Sequence, residues 1–189
     1  MEADFLIFLQ EFIRNDILDP IMIAFTHTGD YGILFIAAAI ILVLVPKTRR
    51  LGHIVAVSLI LESVVINVFI KNAVARIRPY DAIEELERLI GEQSDFSFPS
   101  GHTGAAFAFA GGMLFALIFV IKGLTDTKKY NMITLFVLLY SVLLAFSRMY
   151  VGVHYPTDVL GGMLIGLVTG FLSCHIEKLL YKISHKSTT

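Results

Sequence analysis

Five runs of this chain, at 31–45, 51–70, 103–121, 132–146 and 159–176, contain between them a single Asp, Glu, Lys or Arg, which is Glu62. A water-soluble fold has too little interior to hide so many long apolar runs. A bilayer with a hydrocarbon core of ~30 Å takes a helix of ~20 residues. Lipid offers no partner for free backbone N–H and C=O groups, so each run has to satisfy its own as a helix. Composition points the same way: 56% of residues are hydrophobic and 16% charged, with a mean hydropathy of +0.75, where a soluble domain carries roughly a quarter charged residues. The chain reads as all-α, a polytopic membrane bundle of five transmembrane helices forming one membrane-embedded domain over 1–189.

The first 29 residues have a different pattern. Residues 4–27 are apolar but interrupted by Gln10, Glu11, Arg14, Asn15, Asp16 and Asp19-Pro20. Phe5, Leu6, Phe8, Leu9, Phe12 and Ile13 share one helical face, which predicts an amphipathic helix lying in the membrane interface and broken near Asp19-Pro20. The alternative is a sixth transmembrane helix. Met1-Glu2-Ala3-Asp4 lacks a basic stretch, so no cleavable signal peptide is expected. A net charge of −1 argues against a nucleic-acid partner. Cys174 is the only cysteine, which excludes an internal disulfide and a cysteine-based metal site.

Counting positive charge orients the bundle. Loops 46–50 and 122–130 and the C-terminal tail fall on one face, with Lys or Arg at 47, 49, 50, 122, 128, 129, 178, 182 and 186. The opposite face has them at 14, 71, 76, 78, 88 and 148. The richer face is expected in the cytoplasm. A crossing by residues 4–27 would move only the N-terminus, because residue 30 stays on the poorer face in both readings.

That poorer face carries the chemistry. Ser147-Arg148 closes the fourth run, and His154 and Asp158 precede the fifth. Pro156 suits the first turn of a helix, so His154 stands just before it and Asp158 inside it. Four residues across a helix start can let a carboxylate reach an imidazole N–H, fix its tautomer and raise the basicity of the other nitrogen. Pro99-Ser100-Gly101-His102 introduces the third run, and Lys71, six residues, then Arg78-Pro79 follows the second. A phosphoryl group in transfer spreads charge over three oxygens, and Lys71, Arg78 and Arg148 supply three cations to meet it. Ser100 adds a hydroxyl, Gly101 a bare backbone, and the following helix an N-terminus that attracts anions. An imidazole can attack phosphorus and a second can protonate the leaving oxygen. One carboxylate among three cations suits phosphate and repels a divalent metal. From the residues alone, which histidine attacks stays open.

In order and spacing these three clusters match the signature of the type 2 phosphatidic acid phosphatase superfamily, which this chain resembles over about 51–176 without departure at a signature position. The resemblance implies a metal-independent lipid phosphatase that needs no cofactor, with His154 as nucleophile, Asp158 orienting it and His102 as general acid. Lys71, Arg78, Ser100, Gly101 and Arg148 would bind phosphate. It also implies a multi-pass protein of a bacterial plasma membrane, and by the count of positive charge its site is expected outside the cytoplasm. The first substrate choice is undecaprenyl diphosphate, then phosphatidylglycerophosphate or phosphatidic acid. The alternatives are a lipid phosphotransferase and a non-catalytic phospholipid-binding or transport protein. Many family members look six-spanning, and this chain looks one span shorter.

Four further expectations follow from the residues. Gly162, Gly166 and Gly170 recur every four residues as a stripe for close packing, with Gly111, Gly112 and nearby alanines as its counterpart. Glu62 is expected to be neutral or bonded to a neighbour such as Asn67, with a proton relay as the alternative. His27 and His53 are assigned to the interface. Residues 73–98 read as a polar loop with a short surface helix at 84–88, and Asp81, Glu84, Glu85, Glu87, Glu92 and Asp95 as a solvated acidic face.

Overall fold

A computed structural model describes residues 1–121 and 127–186; Lys122, counted above with the cytoplasmic charges, lies outside them. The described residues are helical with no strand. Helices α1 (Glu2–Phe8), α2 (Leu18–His27), α3 (Ile33–Leu44), α4 (Arg49–Ser63), α5 (Lys71–Val74), α6 (Pro79–Ala82), α7 (Gly101–Phe119), α8 (Thr127–Tyr150) and α9 (Pro156–Lys186) follow in order. A π-helical stretch at Leu9–Ile13 prolongs α1, and another at Val64–Ile70 joins α4 to α5. Among the described residues, four helical segments are long and apolar enough to cross a membrane: Arg49–Ala82, α7, α8 and α9. The pair α2 and α3, bent by 42° at a short break, makes a fifth when it crosses as one broken span.

That pair redraws the sequence reading of the first span. Alone, α3 has 12 residues and rises only about 18 Å, well short of a hydrocarbon core. It needs α2, which the sequence pattern had left in the interface. The break in the N-terminal segment also falls earlier than Asp19-Pro20. Asn15 Oδ1 accepts the amides of Ile17 and Leu18 at 3.1 and 2.9 Å and starts α2 there. Pro20 then sits within the first turn, where its missing N–H has no intrahelical partner to lose.

The remaining amphipathic piece, α1 with its π-helical extension, does not lie free on the surface. Leu6 and Leu9 are buried against Leu86, with Phe146, Met149 and Tyr155 alongside. Its polar side reaches the same loops: Gln10 Nε2 donates to Glu85 O at 2.9 Å, and Arg14 donates to Tyr150 O and Glu87 O at 2.9 and 2.7 Å. This segment therefore braces the loop of residues 83–100. That loop holds no helix at 84–88; the helical turn of the region is α6, begun by Pro79 at its first position.

Helix α7 is the hub, packed against α9, α4 and α8, with α3 on α4 and α2 on α8. Its run of Gly and Ala admits neighbours at backbone distance. The stripe on α9 faces it: an added Cβ on Gly166 would lie 2.5 Å from Gly104 O and 2.7 Å from Ala108 N, and one on Gly170 would lie 2.6 Å from Gly111 C and Gly112 N. Hydroxyls inside the bundle bond to carbonyls, as when Ser58 donates to Ala108 O at 2.8 Å and Ser141 to Ala106 O at 3.1 Å. Large apolar side chains such as Ile40, Phe136, Leu139 and Leu164 point outward, as lipid-facing surfaces require. At one end the bundle is tied by the ion pair of Arg50 with Glu177. All three clusters singled out in the sequence gather at the other end.

Candidate active site

At that end the helices enclose a cavity of about 540 Å³, lined by Lys71, Arg78, Gly101, His102, Arg148 and His154 among others. Each arrives by a local device. Ala75, in the left-handed conformation (φ 49), ends α5 and turns the chain so that Arg76 and Arg78 run back over the bundle. Ser100 caps α7, its Oγ accepting from Thr103 N and Thr103 Oγ1 at 3.5 and 3.1 Å. Arg148 occupies the last turn of α8. Gly152, at φ +80, makes the reversal that brings His154 back toward the bundle; a Cβ there would meet Glu87 O at 2.8 Å.

The cations are buried and aimed inward. Arg148 is 1% exposed, donating to Thr26 Oγ1 at 2.8 Å and Gln93 Oε1 at 3.3 Å, while its Nε has no partner among the described residues. Arg78 donates to Val153 O and Asp95 O, both at 2.9 Å, and its Nη1 is 3.4 Å from His154 Nε2. Lys71 and Arg78 both form ion pairs with the carboxylate of Asp95. Partial burial raises the Asp95 carboxyl, but the hydrogen bond and charge of Lys71, with the charge of Arg78, outweigh it and hold the pKa down at about 2. Asp95 thus leaves the acidic face predicted from the sequence and lies where two cations converge.

His154 is fully enclosed. Burial, then the charges of Arg78, Arg148 and Lys71, hold its pKa well below the usual 6.5, so the ring is neutral at neutral pH with Nε2 toward the cavity. Its Nδ1 is 3.5 Å from Asp158 Oδ2 but makes no hydrogen bond, so the contact expected from the four-residue spacing is proximity only. The Asp158 carboxylate is instead held by Ser97 Oγ at 2.5 Å, Tyr155 N at 2.9 Å and Arg76 Nη1 at 2.6 Å. Ser100 and Asp158 do not line the cavity; they stand behind it, where Ser100 N donates to Asp158 O at 3.0 Å and ties the start of α7 to that of α9. Gly101 does line it, and an added Cβ would lie 3.7 Å from Asn67 Oδ1 and 3.8 Å from Lys71 Nζ, ordinary contacts. Free space therefore does not demand glycine there.

Glu62 is 3% exposed, lines the cavity and has one oxygen, Oε1, without a partner among the described residues. Asn67, its expected partner, donates to Ser63 Oγ at 3.2 Å instead. The sequence reading missed Arg76, Ser97, Asp95, Asp30 and His27. His27 is no isolated interfacial residue, for its Nδ1 is 2.8 Å from Asp30 Oδ2, and Asp30 Oδ1 is 2.9 Å from His102 Nε2. Periodicity and motif spacing carry no sign of these contacts, which join residues 72 and 82 apart in the cases of Asp30–His102 and Arg76–Asp158.

A helical bundle with four or five candidate spans among the described residues, holding three cations and three histidines in a cavity at one end, has the build of an integral-membrane lipid phosphate hydrolase. The chain belongs to the PAP2 superfamily, whose family model matches residues 51–182. It is 31% identical over 169 residues to the undecaprenyl-diphosphatase BcrC of Bacillus subtilis, covering 88% of this chain and 79% of that protein. It is 31% identical over 144 residues to an undecaprenyl-diphosphatase of Sulfolobus acidocaldarius, covering 76% of this chain but 64% of that longer protein. Among solved structures it resembles the PAP2 type phosphatidylglycerolphosphate phosphatase of Bacillus subtilis, with a TM-score of 0.70 and 29% identity over 88% of this chain and 79% of the other.

Proposed function

We propose that this protein hydrolyses a lipid phosphate or diphosphate through a phosphohistidine on His154, without a metal, at the extracytoplasmic face. Undecaprenyl diphosphate is the first substrate choice, and phosphatidylglycerophosphate and phosphatidic acid come next. The observation that carries the reading is the placing of Arg78 Nη1 3.4 Å from Nε2 of a buried, neutral His154, in a cavity shared with Lys71, Arg148 and His102. A phosphate entering it replaces the Asp95 carboxylate on Lys71 and Arg78. The Nε2 lone pair attacks phosphorus, the bond to the leaving oxygen breaks, and His102 gives that oxygen a proton. Water then attacks the phosphohistidine, its proton passes to His102, and inorganic phosphate departs. Asp158, fixed by Ser97, Tyr155 N and Arg76, supplies negative charge beside Nδ1 as His154 gains positive character.

The lipid part of the reading rests on the cavity's second wall. Ile36 of α3 and Leu59 of α4 line it beside Glu62 and Ser63, and Ile36 is 48% exposed. An amphiphile can place its head on the cations while its tail stays among apolar side chains. The face assignment rests on positive charge: Lys71, Arg78 and Arg148 are buried in the cavity and Arg76 pairs with Asp158, which leaves few free cations on that side.

Purified protein is to be assayed for phosphate release from matched micelles of the three lipids. Release persisting in excess EDTA, inhibited by vanadate and accompanied by acid-labile phosphate on His154, supports the reading. Activity lost in chelator and restored by Mg²⁺, transfer to a second lipid in place of water, or binding without release overturns it. In a Cys174→Ser background, Thr48→Cys is expected to be labelled only from the cytoplasm and Ser94→Cys only from outside; the reverse would move the site to the other face.

A further inference from the structure

The turn between α2 and α3 places a second carboxylate beside the second histidine. Asp30 Oδ1 lies 2.9 Å from His102 Nε2 and Oδ2 lies 2.8 Å from His27 Nδ1. Asp30 lines the cavity next to Gly29, Tyr31 and Gly32. We propose that Asp30 is the positioning residue of His102: it holds the imidazole by Nε2–H and serves as counter-ion when the ring carries its second proton. The proposal rests on the reading of His102 as general acid.

Two physical requirements meet in this geometry. A carboxylate only accepts hydrogen bonds, so the bonded nitrogen carries a proton and the ring is fixed with Nδ1 as its free position. The proton for the leaving oxygen therefore comes from Nδ1. A general acid must also exist in its charged form, and His102 shares its cavity with Lys71, Arg78 and Arg148. Like charges so placed oppose another positive charge in a poorly solvated site. Asp95, one of the other acids lining the cavity with Glu62 and Glu92, is engaged by Lys71 and Arg78, and Asp158 stands on the His154 side. Asp30 is the carboxylate in hydrogen-bond contact with His102, and its other oxygen is 2.8 Å from His27 Nδ1. The arrangement is the counterpart, for the acid, of what Asp158 does for the nucleophile.

The test compares Asp30→Asn and Asp30→Glu with the wild type on a lipid monophosphate, whose alkoxide needs a proton, and on nitrophenyl phosphate, whose phenoxide hardly does. Asp30→Asn is expected to lower kcat on the lipid on the order of 10²-fold, with KM little changed, and on the aryl ester by less than about tenfold. Asp30→Glu, which restores the charge at the end of a longer arm, is expected to recover most of the loss. A lesion that merely loosens the fold lowers both substrates alike and is not repaired by Glu. Equal losses on both esters, a change confined to KM, or no loss overturns the proposal. A wild type that releases no phosphate from either ester refutes the phosphatase reading itself and is distinct from all of these outcomes.

Discussion

Replacing Gly166 by Ala tests whether the contact between α7 and α9 sets both the stability of the bundle and the geometry of the cavity. The added methyl would stand 2.5 Å from Gly104 O, 2.7 Å from Ala108 N and 2.9 Å from Phe107 C. All three are backbone atoms, so no rotamer change can relieve the clash. Ordinary contact begins near 3.4 Å, so α9 has to retreat by roughly 1 Å from a close-packed neighbour. Overpacking of this kind costs about 1–3 kcal/mol, and with only backbone to move the upper end applies. Alanine returns up to about 1 kcal/mol of helix propensity, leaving a net loss of about 2 kcal/mol. For a chain of this size that lowers Tm on the order of 5 °C. Because α9 starts just after His154 and α7 starts beside His102, the same retreat separates the two histidines, and misplacement of about 1 Å can cost ~10²-fold in kcat. Thermal unfolding in detergent and lipid phosphate hydrolysis are the assays, with Gly91→Ala as control, since nothing lies within 4 Å of a Cβ there. A Gly166→Ala protein with unchanged Tm would refute the claim that this stripe is in backbone contact.

Asp95→Asn removes the anion paired with Lys71 and Arg78 and is expected to lower the KM for lipid phosphate and the vanadate concentration giving half inhibition by several-fold; since the carboxyl stays ionised down to about pH 2, the wild type should show no relief of this competition between pH 5 and 8. Unchanged vanadate inhibition in the mutant would show that Asp95 does not compete for the site. The depressed pKa of His154 makes a further prediction, for the unfolded chain takes up a proton near pH 6.5 while the folded ring stays neutral. Stability therefore rises with pH between the lowered folded value and 6.5, and is lost as pH falls, by at most about 1.4 kcal/mol per pH unit. Tm in detergent should drop between pH 7 and 5 in the wild type and drop less in His154→Gln; equal slopes would place that titration elsewhere.

The gross architecture was legible in the sequence because lipid imposes simple rules. Apolar runs of bilayer length have to be helices, and parity along the chain decides which ends share a face, so the Lys71, Arg78, His102, Arg148 and His154 clusters had to emerge together. The glycine stripe on α9 was legible for the same reason: its four-residue period fixes a face, and small residues on α7 could receive it. Only the tertiary structure decided what happens within each cluster. The four-residue spacing of His154 and Asp158 brought them within 3.5 Å, but the carboxylate's hydrogen bonds went to Ser97, Tyr155 and Arg76, because buried oxygens take the donors that arrive with the best alignment. Asp95 read as part of a solvated acidic face and Asp30 was not singled out, and what distinguishes them is the long-range packing that sets Asp30 beside His102 and Asp95 between Lys71 and Arg78. The short α3 likewise reaches the length of a span only together with α2, since a hydrophobicity pattern measures the length of a run and not the bend across a break. Composition and period determine where a helix lies relative to lipid; the partners of a polar side chain inside the bundle depend on three-dimensional register, which no local pattern encodes.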